Sequence, residues 1–249
     1  MRVMIVTKPD RKSVDLQPLV FLGGANALSE ICELVNDINR VSPQYEVIGA
    51  LDDNQELVGK AIFGVKVLGT LLDVVNFPNA KFVFAIGSHK TRLRRYEILQ
   101  ELDIPDSRFE TLVHPDAKVY PTAILGDGCI VHKGAIIGND TVLEPFVVVT
   151  FNAAIGTFNH IGRCALITTG AILTSNVHVG PCAFIGVGSV IGEGVIIGPG
   201  AMIGIGSVVL RNVKPGMFML GNPLKAVFPS KVPEKMIHDW RNHCQIKYV

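Results

Sequence analysis

From Val113 to Val209 an aliphatic residue stands at every sixth position: Val113, Val119, Leu125, Val131, Ile137, Leu143, Val149, Ile155, Ile161, Ile167, Leu173, Val179, Ile185, Ile191, Ile197, Ile203 and Val209. A helix cannot use this period, because six residues is not a whole number of 3.6-residue turns. A short strand plus a tight turn does fit six residues. Three such units make a three-sided coil of eighteen residues, and successive coils stack as parallel strands with one aliphatic at the centre of each wall. This is the pattern of a left-handed parallel β-helix built on hexapeptide repeats.

Small residues recur four positions after most of these aliphatics, among them Ala135, Ala153, Ala165, Ala183, Ser189 and Ser207. They are expected to fill the inside of the triangle. Glycine directly follows nine of the aliphatics (Gly126, Gly138, Gly156, Gly162, Gly180, Gly186, Gly192, Gly198, Gly204). A residue without Cβ suits the tight corners of so small a coil. Five to six coils at about 4.8 Å each give a prism roughly 25–30 Å long.

The chain divides into three expected parts. Residues 1–108 read as a small parallel α/β domain. The apolar run Pro18–Gly23 is followed by a helical pattern over Ala27–Ile38. Strands are expected at Val47–Leu51, around Val65–Leu68 and at Lys81–Ile86, with helix starts at Thr70 and Lys90. Met1–Thr7 reads as a further strand and residues 8–17 as linker. Residues 109–213 are the β-helix. Residues 214–249 are a proline-bearing tail with a helix over Pro233–His243. The α/β domain is expected to cap one end of the prism and the tail the other. Apolar outer residues (Phe146, Val148, Phe151, Phe158, Phe184) need cover, for which a homotrimer closed through one wall is the economical arrangement.

Composition excludes several classes. The 249 residues carry a net charge of +1 with no basic run, so nucleic acid is not an expected partner. No run of eighteen apolar residues spans a bilayer, no secretion signal is evident, and the expected compartment is the cytoplasm. The five cysteines form no C-x-x-C pair, and no metal site is expected. Cys164 and Cys182 are eighteen apart, in one column, and are read as free thiols.

Several stretches resemble a known family. They are Val47–Gly69 (VIGALDDNQELVGKAIFGVKVLG), Phe84–Gly87 (FAIG), Leu112–Ala117 (LVHPDA), the repeat itself, and Gly221-Asn222-Pro223 with Lys225. The resemblance is to the hexapeptide-repeat nucleotide-sugar acetyltransferases, near sialic-acid O-acetyltransferase and the bacillosamine-type N-acetyltransferases. It implies a cytoplasmic homotrimer that transfers an acetyl group from acetyl-CoA to a nucleotide-linked, often amino, sugar for surface glycans. By position it implies a nucleotide pocket at Gly23, Gly24, Asp52, Asp53 and Gly87. It also implies an acetyl-CoA groove along Gly186, Gly188, Gly204 and Gly206, ending at Gly221, Asn222 and Lys225. Glycines at a strand end suit phosphate, and paired carboxylates suit a base or ribose, but a plain glycine turn and an Asx-turn pair explain the same residues.

One element of the family is missing. Its histidine base sits two residues after an inward aliphatic, between two acids. Here that stretch is Ile155-Gly156-Thr157-Phe158-Asn159-His160-Ile161, so Thr157 occupies the base position, flanked by Gly156 and Phe158. A second family histidine aligns with Leu166. Threonine is no base at neutral pH. His160 is the nearest alternative. His160 with His178, and His114 with His132, form two columns expected at a surface or interface. Three readings stay open: transfer to an amine that needs no base, transfer to a hydroxyl activated by His160, or an inactive trimeric homologue that serves as a binding or scaffold protein.

Overall fold

The structure is a computed structural model describing residues 15–23, 27–87 and 90–244. The strand expected at Met1–Thr7 and most of the linker lie outside the described residues. In the α/β part, β1 (Gln17–Leu22), β2 (Tyr45–Leu51), β3 (Ala61–Ile62), β4 (Val65–Gly69) and β5 (Lys81–Phe84) form one sheet in the order β3-β4-β2-β1-β5. All pairings are parallel except the short β3–β4 hairpin, which has too few residues to show in an apolar pattern. Helix α1 (Ala27–Val41) buries Leu28, Ile31, Leu34, Val35 and Ile38 at helical spacing, and α2 spans Arg92–Leu102. The start expected at Thr70 is a 3-10 turn, Leu71–Asn76, whose Thr70 and Asp73 form a capping box.

The repeat folds as a three-walled prism of two-residue strands, each paired in parallel with the strand eighteen residues away. The first wall runs from Leu112–Val113 to Met202–Ile203, the second from Lys118–Val119 to Val208–Val209, the third from Ile124–Leu125 to Ile196–Ile197. From Val131 to Val209 the repeating aliphatics are buried at 0–1% exposure, in one continuous core with Ala135, Ala153, Ala165, Ala171, Ala183 and Ala201.

The corner glycines have a different reason from the one expected. Positive φ falls two residues later, at Gly128, Phe146, Asn152, Phe158, Cys164, Gly170, Asn176, Cys182, Gly188 and Gly206. The glycines directly after the aliphatics are needed for stacking. A Cβ on Gly156 would lie 2.5 Å from the Thr174 carbonyl oxygen, and one on Gly186 would lie 2.5 Å from that of Ile203. Four interior positions are polar, Thr141, Asn159, Ser189 and Ser207, and both serines donate to the Gly204 carbonyl (2.9 and 2.7 Å). Thr141 donates to the Gly156 carbonyl (2.8 Å); Asn159 donates to the Thr174 carbonyl (2.8 Å) and accepts from the Val177 N–H (2.7 Å).

The α/β domain lies alongside the prism and does not cap its end. Leu112, Ile130 and Val148 of the first wall join the core of α1 and β1. Phe146, Cys164 and Cys182, on the corner between third and first walls, join that of β5, α2 and Phe109. Phe146 is fully buried, its ring 4.7 Å from that of Phe109. The cover expected from a second subunit is thus supplied, for Phe146 and Val148, by the chain's own domain. The interior Val113, Val119 and Leu125 of the first coil remain only half-buried. At the other end, Met217–Leu220 extends the first wall through a parallel pairing with Met202–Ile203, and Lys225–Pro229 turns back on it. Helix α3 (Glu234–Cys244) brings Met236 to the α2 cluster.

Stacking clearance makes a direct prediction. Gly186→Ala should lower the urea midpoint by the equivalent of about 2 kcal/mol or more, because backbone stands where its Cβ would go. Gly188→Asn, at φ 65 with nothing within 4 Å of its Cβ, should cost less than about 1 kcal/mol. Equal midpoints for the two variants would contradict the clearance argument.

Candidate functional site

In the sheet, β1 has β2 on one side and β5 on the other, so the strand order reverses beside its carboxyl end. Open α/β sheets bind ligands at such a point. Gly23 follows β1, Asp52 and Asp53 follow β2, and Gly87 follows β5. These four expected nucleotide residues therefore share one rim, while Gly24 lies outside the described residues. Gly23 has φ 107, and a Cβ there would strike Ile86 at 2.6 Å. Asp52 accepts from the Asn54 N–H (2.9 Å), forming the Asx turn. Asp53 accepts from the Leu71 N–H (3.0 Å), capping the 3-10 turn. Both carboxylates thus have local structural work.

Gly87 packs on Arg95, with 3.0 Å between its would-be Cβ and Arg95 Nη1. Arg95 is 1% exposed. It donates from Nη2 to the Phe146 carbonyl (3.0 Å), lies 5.4 Å over the Phe84 ring, and its Nε has no hydrogen-bond partner among the described residues. Burial pushes its guanidinium below the usual range. Sequence reading missed Arg95, because one arginine among several on a charged helix gives no sign of facing inward.

The late-coil glycines split into two kinds. Gly186 and Gly204 are buried and spaced for stacking. Gly188 and Gly206 are open, as is Gly170 one coil earlier, with nothing within 4 Å of a Cβ. Exposed Val187 and Ile205 stand beside them, so this edge is a smooth apolar ledge. Gly221 joins it by donating to Ser207 Oγ (3.0 Å), which in turn donates to the Gly204 carbonyl (2.7 Å). Asn222 and Lys225 follow, both exposed.

Thr157 and His160 are not joined. Thr157 Oγ1 meets Ser175 Oγ at 3.3 Å. His160 reaches to the opposite end of its wall, where Nε2 meets Glu144 Oε1 at 2.6 Å, and Glu144 also accepts from the Arg163 N–H (2.7 Å). As the spacing implied, His160 and His178 stack outward, ring centroids 6.2 Å apart. The other column differs from the expected surface pair. His114 and His132 are buried under α1, at 5% and 3% exposure. His114 Nδ1 accepts from the Asp116 N–H (2.9 Å), which leaves Nε2 to donate to Asp37 (3.0 Å). His132 tilts on Phe151 with 4.8 Å between ring centroids. Burial, with His114 beside it, pushes His132 down from 6.5 to about 4. Among the described residues no three His, Cys, Asp or Glu side chains come together to hold a metal ion, and no helix is long and apolar enough to cross a membrane.

The low His132 value makes stability depend on pH. Unfolded, the imidazole takes up a proton near pH 6.5; folded, it resists until about pH 4. The unfolded chain therefore binds more protons between those values, and stability falls as pH drops through that window. His178, also lowered by burial, acts in the same direction. Melting temperatures should decline from pH 6.5 to 4 in the native chain and decline less in His132→Leu. Parallel pH profiles would contradict the assignment.

Comparison with known proteins is consistent with this geometry. Residues 29–99 match the model of the PglD N-terminal domain. No curated protein matches. Among solved structures, the acetyltransferase domain of PglB from Neisseria gonorrhoeae is 26% identical with a TM-score of 0.72, over 85% of this chain and 100% of that one. PerB from Caulobacter crescentus, solved with CoA and GDP-perosamine, has a TM-score of 0.74 at 24% identity, over 87% of this chain and 100% of that one. WeeI from Acinetobacter baumannii has a TM-score of 0.72 at 21% identity, over 85% and 100%. The resemblance to the hexapeptide-repeat sugar acetyltransferases thus holds in the N-terminal domain by sequence and across both domains by fold.

Proposed function

We propose that this chain transfers an acetyl group from acetyl-CoA to the amine of a nucleotide-linked amino sugar, as a homotrimer in the cytoplasm, in surface-glycan synthesis. The observation that carries this reading is the ledge of Gly170, Gly188 and Gly206, left open at the corner of the prism while the neighbouring glycines are closed by stacking. A Cβ-free edge flanked by Val187 and Ile205 suits an extended pantetheine arm. Gly221, Asn222 and Lys225 then stand at the nucleotide end, where a lysine favours phosphate. Acetyl-CoA supplies a thioester-activated acetyl group. The PglB domain has also been solved with acetyl coenzyme A, and PerB with CoA and GDP-perosamine.

An amine acceptor follows from the chemistry at Thr157. A hydroxyl needs a base to become a useful nucleophile, whereas a neutral amine carries its lone pair already. The residues at 156–158 are Gly, Thr and Phe, and the Thr157 hydroxyl is taken up by Ser175. His160, the candidate base for a hydroxyl, is turned toward Glu144. Gly23, Gly87, Asp52 and Asp53 would hold the nucleotide at the sheet's switch point, with the two carboxylates as acceptors for its base or ribose. The inactive-scaffold reading has the same loop in its favour, since Gly156-Thr157-Phe158 holds no ionisable group. For the trimer, the second wall presents Ile136 and Ile172 at 44% and 45% exposure, an apolar face suited to a sister chain.

Calorimetry with acetyl-CoA tests the reading. The native chain should bind it, and Gly206→Trp, which fills the ledge at some cost in stability from its positive φ, should weaken binding at least about tenfold while the chain stays folded. An amine-bearing nucleotide sugar should be acetylated and its hydroxyl counterpart should not. No binding at millimolar acetyl-CoA would leave the scaffold reading standing in its place.

A further inference from the structure

The corner between the first and second walls carries one residue per coil directly after each inward aliphatic: His114, His132, Thr150, Thr168, Gly186 and Gly204. The far half of this line borders the open ledge. The near half runs under α1, and His132 is its odd member. It is 3% exposed, and its ring nitrogens make no hydrogen bond among the described residues. A polar ring in this position is open to a ligand that enters beside it. His132 also lines two adjoining cavities. One, of about 80 Å³, is bounded by Gly87 at the end of β5, Glu30 of α1, Arg95 of α2 and Thr150 of the prism. The other, of about 200 Å³, is bounded by Glu33 and Asp37 of α1 and by Lys133 and Phe151. Arg95 brings a buried nitrogen, Nε, without a hydrogen-bond partner among the described residues to the first cavity.

We propose that this seam between α1 and the prism is the acceptor-sugar site, and that His132 receives the amino group of the nucleotide-linked sugar. The assignment rests on the transferase reading above and names where its acceptor sits. Gly87 is shared by the nucleotide rim and the cavity, so a ligand held at the switch point enters the seam directly. Arg95, without a carboxylate hydrogen-bonded to it, stands where a sugar phosphate would pass. His132 faces Glu30, Glu33 and Asp37 of α1, Arg95 of α2, and His114 and Lys133 of the prism. It stays neutral near pH 7, and its lone pair accepts an N–H from the amine.

With that hydrogen bond made, the amine is held as a neutral nucleophile with its lone pair directed along the corner. From His132 to Gly186 is three coils, about 14 Å, a span that an extended pantetheine arm on the ledge covers. The nitrogen lone pair forms the new C–N bond at the acetyl carbonyl carbon. The C–S bond breaks with its electron pair on sulfur, and the proton lost by nitrogen ends on that sulfur as the free thiol.

The test compares His132→Leu, which removes the acceptor, with His132→Gln, which keeps one. Binding of GDP-perosamine and a panel of UDP-linked amino sugars is measured by calorimetry without acetyl-CoA, followed by KM for each substrate. Because the imidazole makes no hydrogen bond among the described residues, His132→Leu should melt close to the native temperature at pH 7. It should bind the accepted amino sugar about tenfold more weakly, the worth of one hydrogen bond to a buried group. Its KM for acetyl-CoA should stay within about twofold, and His132→Gln should recover part of the sugar affinity. Native sugar affinity in a folded His132→Leu overturns the assignment. If the native chain binds acetyl-CoA but neither binds nor acetylates any amino sugar of the panel, the transferase reading falls and takes this assignment with it.

Discussion

Every coil of the prism hangs on its neighbours through the same main-chain ladder. The N–H of Gly156 meets the carbonyl of Leu173, that of Leu166 meets Ala183, and that of Gly186 meets Ile203, all at 2.8–2.9 Å. Each bond joins residues seventeen apart, so the eighteen-residue period must be kept without a slip. A bulky residue at a corner facing the next coil breaks the ladder, and a turn residue that cannot take positive φ fails to close the triangle. The sequence meets both demands with different residues. Gly156 and Gly186 supply the clearance, while Phe158, Asn176, Cys164 and Gly188 take the left-handed turn.

This rigidity decides where chemistry can sit. The inside of the triangle offers no free polar group among these residues, because Asn159, Thr141, Ser189 and Ser207 are engaged with the backbone. Function is confined to the edges and to the seam with the α/β domain. One edge joins both. Its late coils offer the open Gly188 and Gly206, and its early coils carry His132 and Thr150 beneath α1, next to the nucleotide rim. In the proposed reaction a donor and an acceptor entering from opposite ends would meet on one straight line.

The prism was legible because each wall carries a single aliphatic whose identity never varies beyond Val, Ile and Leu. Among the described residues the N-terminal elements were legible to within a few residues, except the two-residue β3 and the 3-10 form of the turn after Thr70. What covers each wall was not. Phe146 looks like Phe158 in sequence, since both take the left-handed turn, yet one is fully buried under β5 and α2 and the other is 57% exposed. Only the docking of the α/β domain separates them. The same docking turned His114 and His132 from an apparent surface pair into buried groups. The eighteen-residue spacing showed that they shared a column, but not that α1 lies over it. Arg95 was invisible for that reason as well.

In the proposed reaction acyl donor and amino acceptor meet on the edge that runs from Gly206 to His132. A crystal structure of the chain with coenzyme A and the nucleotide-linked amino sugar it accepts tests this most directly. The sugar amine should lie within hydrogen-bond distance of His132, about 3 Å, with the coenzyme thiol beside Thr150 or Thr168 on the same edge. A thiol found at the Thr157 corner, with the sugar amine there and the seam under α1 empty, would contradict it.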